Sequence, residues 1–202
     1  MDKKEYIAEK MREFPNENHI DRSICGKCKR CCCKIGACQL MTCDISDMSV
    51  EGIRKMLDTN KYSVYLTFGF LFGELVVLPV ICAKEIDAGR VKASFFRKQC
   101  ALLGENGCSL SDEERPTLGL LLIPNSNDKC RTAVNNEETF LDWYPHKSIM
   151  DEVVFLETGK TTEEIFDDAV DEAAEQLFLK ITNKEELTDS EILVCDVLLQ
   201  LI

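Results

Sequence analysis

Residues 25 to 43 read CGKCKRCCCKIGACQLMTC, and seven of the twelve cysteines stand in that stretch: Cys25, Cys28, Cys31, Cys32, Cys33, Cys38 and Cys43. Thiols at this density are either oxidised to disulfides or held as thiolates by a soft metal or an iron–sulfur cluster. Cys25-Gly26-Lys27-Cys28 is a C-x-x-C turn. Two thiolates three residues apart grip one ion, and the backbone N–H groups between them hydrogen-bond the sulfurs. Gly26 permits the tight geometry. One such turn is a weak signal, but Cys31, Cys32 and Cys33 behind it and the Cys100/Cys108 pair downstream make it a strong one. Lys27, Lys29, Arg30 and Lys34 lie among these cysteines with no acid between Cys25 and Cys43. That pattern suits thiolate stabilisation and an exposed basic loop almost equally.

Bulk properties favour metal over disulfides. A chain of 202 residues buries about 70% of its unfolded surface and needs no disulfide merely to hold together. The opening MDKKEYIAEKMREF carries charges every few residues and lacks the apolar core of a secretory signal. The longest apolar run, around Leu75 to Ala83, is broken by Pro79 and falls far short of the ~20 residues that cross a bilayer. A cytoplasmic, reducing location is expected, with no membrane association, and disulfides are rare there. Net charge is −12, and from Asn135 onward there are 18 Asp+Glu against 4 Lys+Arg. Such a tail repels phosphates, so no nucleic-acid binding is expected; it suits a protein partner instead.

Zinc needs only four ligands, for instance Cys25 and Cys28 with Cys100 and Cys108. The surplus thiols suit a second ion or an iron–sulfur cluster. The bacterial ferredoxin run fails, because Ile35 stands where its fourth cysteine belongs. Lys29 follows the C-x-x-C turn, which excludes the c-type haem signature, and no βαβ pattern supports a thioredoxin-like site. His19 reads as an exposed loop histidine more than as a ligand, His146 follows Pro145 with no partner visible in the sequence, and Asp44, Asp47 and Asp58 read as caps or solvated charges of the helix after the cluster. There is no EF-hand spacing, no glycine-rich nucleotide loop and no Ser–His–Asp arrangement.

The C-x-x-C-x-x-C-C run, the C-x7-C pair and the Arg-Pro that follows resemble the YkgJ-type cysteine-cluster proteins, described as zinc- or iron-chelating domains. The resemblance covers roughly Cys25 to Arg131, about half the chain. Cys25, Cys28, Cys31 and Cys32 match its first motif, and the triple cysteine also permits the longer spacing through Cys33. Cys100 and Cys108 match the second and Arg115-Pro116 the third. The family's next element is Cys-Arg, but Gly119 occupies the cysteine position here; either Cys130-Arg131 supplies it after an insertion or the ligand is lost. The resemblance implies metal binding without a reaction. The metal set it suggests is Cys25, Cys28, Cys31, Cys32, Cys33, Cys100, Cys108 and Cys130. Some members carry names linked to flagellin lysine N-methylation, so an iron–sulfur-dependent redox or group-transfer enzyme is one alternative. A zinc-stapled interaction module is another.

The elements that must position these thiols are an α+β set. A small irregular cysteine-rich core with a few antiparallel strands is expected over residues 1–134, followed by an acidic helical extension over 135–202 packed on it. Residues 2 to 14 have near-helical spacing at Tyr6, Ile7, Met11 and Phe14. Ser49 begins a helix to about Asp58. YSVYLTFGFLF and ELVVLPVICA read as two strands joined near Gly73-Glu74, with Pro79 marking an edge or a bulge, and Val91 to Phe96 adds a third. Asn106-Gly107 is a turn that holds Cys100 near Cys108. Ser111 with Glu114 is a capping box for one helical turn, and Leu118 to Pro124 packs beneath it. Helices follow through Phe140 to Trp143, over Lys147 to Glu157, from Thr161 to about Ile181, and from Thr188. In the third of these Ile165, Phe166, Ala169, Val170, Ala173, Leu177 and Phe178 face inward. Cys82 and Cys195 read as core residues.

Overall fold

The computed structural model describes residues 2–13, 36–105, 107–111, 113–124 and 130–201; Cys25, Cys28, Cys31, Cys32, Cys33, His19 and Phe14 lie outside them. The fold is mixed α and β, with a three-stranded sheet, two short two-stranded ribbons and a mostly helical C-terminal half. Its sheet is built on β1 (Tyr62–Leu71) and β2 (Glu74–Ala83), which pair antiparallel without slippage from Tyr62↔Ala83 to Leu71↔Glu74. The turn between them places Phe72 at φ 53° and Gly73 at φ 85°. Two positive-φ residues give the tight hairpin loop that matches strand twist.

β3 (Val91–Lys92) runs parallel to β1 on its other side, giving the order β2-β1-β3. The expected strand to Phe96 stops after two residues. Ser94 Oγ accepts the Phe96 N–H at 3.2 Å, a local bond that turns the chain out of the ladder. Pro79 marks an edge and not a bulge. Leu40 N–H donates to Ile81 O and Ala83 N–H donates to Cys38 O, so residues in this phase of β2 turn their polar groups away from β1. Pro79 shares that phase and therefore removes no donor from the β1 ladder.

Helices start where side-chain caps are available. Asp2 and Glu5 form a capping box at α1 (Lys3–Arg12), Ser49 caps α2 (Val50–Asp58), and Thr161 with Glu164 boxes the long helix below. After Pro116 come α3 (Thr117–Leu120) and the ribbon β6 (Leu122–Pro124) with β7 (Cys130–Thr132), preceded by the ribbon β4 (Leu103–Gly104) with β5 (Gly107–Cys108). The C-terminal half is α4 (Asn136–Trp143), α5 (Lys147–Thr158), α6 (Thr162–Thr182) and α7 (Asp189–Leu201). Gly159 ends α5 at φ 72°, where a side chain would be strained.

One core joins Ile53 and Leu57 of α2, Val64, Leu78 and Ile81 of the sheet, and Met150, Val153 and Val154 of α5. Each fully buried aliphatic side chain contributes about 1.5–3 kcal/mol. Trp143 is completely buried in the same core, and its indole N–H donates to Leu40 O at 2.8 Å. That bond satisfies the polar edge of the ring and ties α4 to the described end of the cysteine run. Phe68 packs with Phe95 and Phe166 on one face of β1, while the adjacent Gly69 leaves room for Phe140 on the other. Along α6 the buried stripe is Phe166, Ala169, Ala173 and Leu177. Phe178, expected inward, is instead 68% exposed. It sits about 100° around the helix from Leu177 and leaves the stripe. No described helix is long and apolar enough to cross a membrane.

Candidate metal centre

The described end of the cysteine run is fixed at the edge of the sheet. Gln39 forms a bridge with Cys82, and the flanking bonds hold Cys38 and Leu40 against Ile81 to Ala83. Just before it, the backbone at Ala37 is clamped by the completely buried Glu85. Its Oε1 accepts from Ala37 N at 3.3 Å and pairs with Arg97 Nε at 2.7 Å; its Oε2 accepts from Lys98 N at 2.9 Å and pairs with Lys92. Arg97 returns a bond to Ala37 O at 2.7 Å and lies 4.9 Å over the Tyr65 ring. Burial pushes the Glu85 carboxyl up, but the Lys92 ammonium, the Lys98 N–H and Arg97 outweigh it and hold the group below its usual value. The carboxylate therefore stays charged and pins the backbone at the described end of the cysteine run.

Beyond Leu40 a single 3₁₀ turn, Thr42–Asp44, carries Cys43. Its Sγ lies 3.6 Å from Thr117 Oγ1. Asp44 accepts Thr117 N at 2.9 Å, Thr117 Oγ1 at 2.7 Å and Met41 N at 3.0 Å, and it pairs with Lys3 at 3.0 Å. Asp44 thus caps α3, far away in sequence, and not the helix that follows it. Asp47 accepts Ser49 N at 3.0 Å, and Asp58 pairs with Arg90. Burial raises the Cys43 thiol; Thr117 opposes this, and Asp44 and Asp142 add to it. Cys43 is accordingly a poor thiolate.

The described residues of the second motif form a short ribbon, while Asn106 of the expected turn lies outside them. Leu103 pairs with Cys108 and Gly104 with Gly107, and Leu103 N–H donates to Cys100 O at 3.2 Å, so Cys100 precedes the ribbon by three residues and Cys108 ends it. Their surroundings differ. Cys108 is half-buried, whereas Cys100 is buried, paired through its backbone with Glu85 and packed in the same core as Cys82. Burial pushes the Cys82 thiol up to about 12 against the opposing pull of Arg97, which fits its reading as a core residue. Cys195 is only half-buried, against the Ala173–Leu198 cluster. Ser111 and Glu114 exchange the two bonds of the expected capping box, at 3.4 and 3.3 Å, and Arg115 N–H closes one helical turn onto Ser111 O. Cys130 opens β7 opposite Pro124.

Gly119 has a telling environment. A Cβ built there would meet Cys38 Sγ at 3.5 Å, and its carbonyl accepts Arg115 Nη2 at 3.4 Å. The described end of the cysteine run and the segment after Arg115-Pro116 therefore meet in space. Sequence spacing does not reveal this contact, nor the Glu85 clamp, whose only trace is a carboxylate directly after the apolar run of β2 with Lys92 and Arg97 downstream. Among the described residues Cys38, Cys43, Cys82, Cys100, Cys108 and Cys195 form no disulfide with one another. Among the described residues no group of three or more His, Cys, Asp and Glu side chains is arranged to hold a metal ion. Comparisons with protein-family models, curated proteins and solved structures return no match.

Proposed function

We propose that this protein binds zinc or iron through cysteine thiolates, as a mononuclear site or an iron–sulfur cluster, in a reducing compartment and in the manner of the YkgJ-type domains. The observation that carries the reading is the concentration of thiols, seven between Cys25 and Cys43 with Cys100, Cys108 and Cys130 downstream. Soft thiolates select such metals over calcium or magnesium. Cys25, Cys28, Cys31, Cys32 and Cys33 are the proposed ligands of the first stretch, where the thiols are densest. Cys100, Cys108 and Cys130 are the proposed long-range ligands. Cys38 joins the candidates because a side chain at position 119 would project onto its sulfur; its thiol stands beside the place where the resemblance expects a cysteine.

Bound zinc would close the long loop between the motifs and contribute on the order of 10 kcal/mol to folding, while iron would add a redox function. The chain's own part is to fix the end of the cysteine run through Glu85 and the β2 edge, so that ligands far apart in sequence can converge. The test is metal analysis of protein purified without oxygen, with its absorption spectrum. Stoichiometric zinc without colour supports a closed structural site, and a brown protein with broad absorption in the visible supports iron–sulfur. Protein purified without either metal that gains none on anaerobic addition of zinc or ferrous iron contradicts the proposal.

A further inference from the structure

The C-terminal helical hairpin carries a surface that the metal reading does not use. α6 and α7 pack together through Ala173, Leu177, Val194 and Leu198, and the Lys180–Glu191 pair spans them at 2.6 Å. Phe178 and Ile181 lie on one flank of α6, 68% and 57% exposed, while Ile192 and Leu199 lie on one flank of α7, 48% and 72% exposed. Their spacings, three residues on α6 and seven on α7, keep each pair on its own flank. Because the helices run antiparallel, both flanks turn to the same side of the hairpin, with half-buried Cys195 between them. The α6 flank continues towards the N-terminus through Ala174, Asp171 and Asp167 at steps of three and four residues. The two flanks make one strip, whose α6 side is thus apolar at its C-terminal end and acidic at the other, while on α7 Ile192 stands level with the apolar part and Leu199 beside the acidic part.

We propose that this strip docks a basic amphipathic helix of a partner protein, its apolar residues on Phe178, Ile181, Ile192 and Leu199 and its Lys or Arg residues on Asp167 and Asp171. Large apolar side chains exposed on one side of a hairpin mark interaction surfaces, and an amphipathic helix laid on a helical groove is a recurring mode of recognition. Charge decides the occupant. Residues 162 to 201 hold twelve Asp and Glu against Lys180 and Lys184, and Lys180 is already paired with Glu191. A second copy would bring two strongly acidic surfaces together, and nucleic acid or an anionic membrane would be repelled. A cationic helix matches both halves of the strip. This inference does not depend on the metal.

The experiment uses the full chain and two fluorescent peptides of identical apolar pattern, one Leu/Lys and one Leu/Glu, read by anisotropy. The Leu/Lys peptide is expected to bind and the Leu/Glu peptide not to. Phe178→Ser with Leu199→Ser is expected to weaken binding at least tenfold, and Asp167→Asn with Asp171→Asn to weaken it and reduce its salt dependence. All four positions are at the surface, and circular dichroism and melting of the variants report whether the hairpin is intact. If intact variants bind the Leu/Lys peptide as tightly as the parent, or both peptides bind alike, the proposal is overturned. So it is if sedimentation shows a dimer that the Phe178→Ser, Leu199→Ser variant dissolves, since a second copy would then occupy the strip.

Discussion

Glu85→Gln is the sharpest perturbation of the scaffold that presents the cysteines. Glu85 has no exposed surface, and four donors converge on its two oxygens: Arg97 Nε, Ala37 N, Lys98 N and the Lys92 ammonium. Glutamine keeps the shape but removes the charge, and it turns an N–H group towards one of those donors. Removing one partner of a fully buried pair costs about 3–5 kcal/mol. Here the Lys92 and Arg97 side chains retain 13% and 39% exposure, so water recovers part of that loss. An expected cost of about 2–3 kcal/mol remains. With a urea m-value of about 2–3 kcal/mol/M, the unfolding midpoint falls by roughly 1 M. Trp143, the only tryptophan and completely buried, reports unfolding by fluorescence, and exchange of the Ala37 amide hydrogen should accelerate. A variant whose midpoint stays within about 0.2 M of the parent, with Ala37 still protected, would refute the clamp.

Other ion pairs and turns of the fold make further outcomes testable. Glu157 is held between Arg54 at 2.7 Å and Arg90 at 2.9 Å; burial raises its carboxyl, but the two guanidinium groups outweigh this and lower it. Its stabilisation is complete above the unfolded value of about 4.3 and is lost as pH falls through the lowered folded value. The stability gap between parent and Glu157→Gln should therefore be about 1–2 kcal/mol at neutral pH and shrink in acid urea titrations; a gap that widens in acid would contradict the pairing. Phe72 is 99% exposed at φ 53°, a backbone region that asparagine tolerates far better, so Phe72→Asn should stabilise by about 1 kcal/mol and raise Tm by about 2–4 °C. An unchanged or lower Tm would show that the turn is unstrained. Cys25→Ser and Cys108→Ser should each lose metal, because a protonated hydroxyl is a poor, hard substitute for a thiolate, while Cys82→Ser and Cys195→Ser keep it. Metal retained in full by Cys108→Ser but not by Cys25→Ser would confine the centre to the first stretch.

Local signals in the sequence carry much of the scaffold. Ser49, Thr161 and Thr188 each supply a side-chain cap for the helix that follows. The β1–β2 hairpin is readable because ten-residue β-branched and aromatic runs flank a glycine. What stayed hidden was set by partners distant in the chain. Phe178 belongs to an apolar run, yet only packing decides which side of α6 is covered. Asp44 looks like a cap for the next helix and serves Thr117 instead, because the chain returns there only after the β4–β5 ribbon. Cys82 and Cys100 share one core, so burial does not separate a core thiol from a proposed ligand. The meeting of Cys38 with Gly119 is likewise a product of tertiary folding, with no counterpart in residue spacing.

The central claim concerns the atoms around a metal. X-ray absorption at the zinc or iron edge of the anaerobically purified protein counts them directly. The account predicts a first shell of about four sulfurs at about 2.3 Å, reduced in occupancy or in sulfur number by Cys108→Ser. A shell of nitrogen and oxygen alone would contradict it, as would protein that takes up neither metal with its thiols reduced.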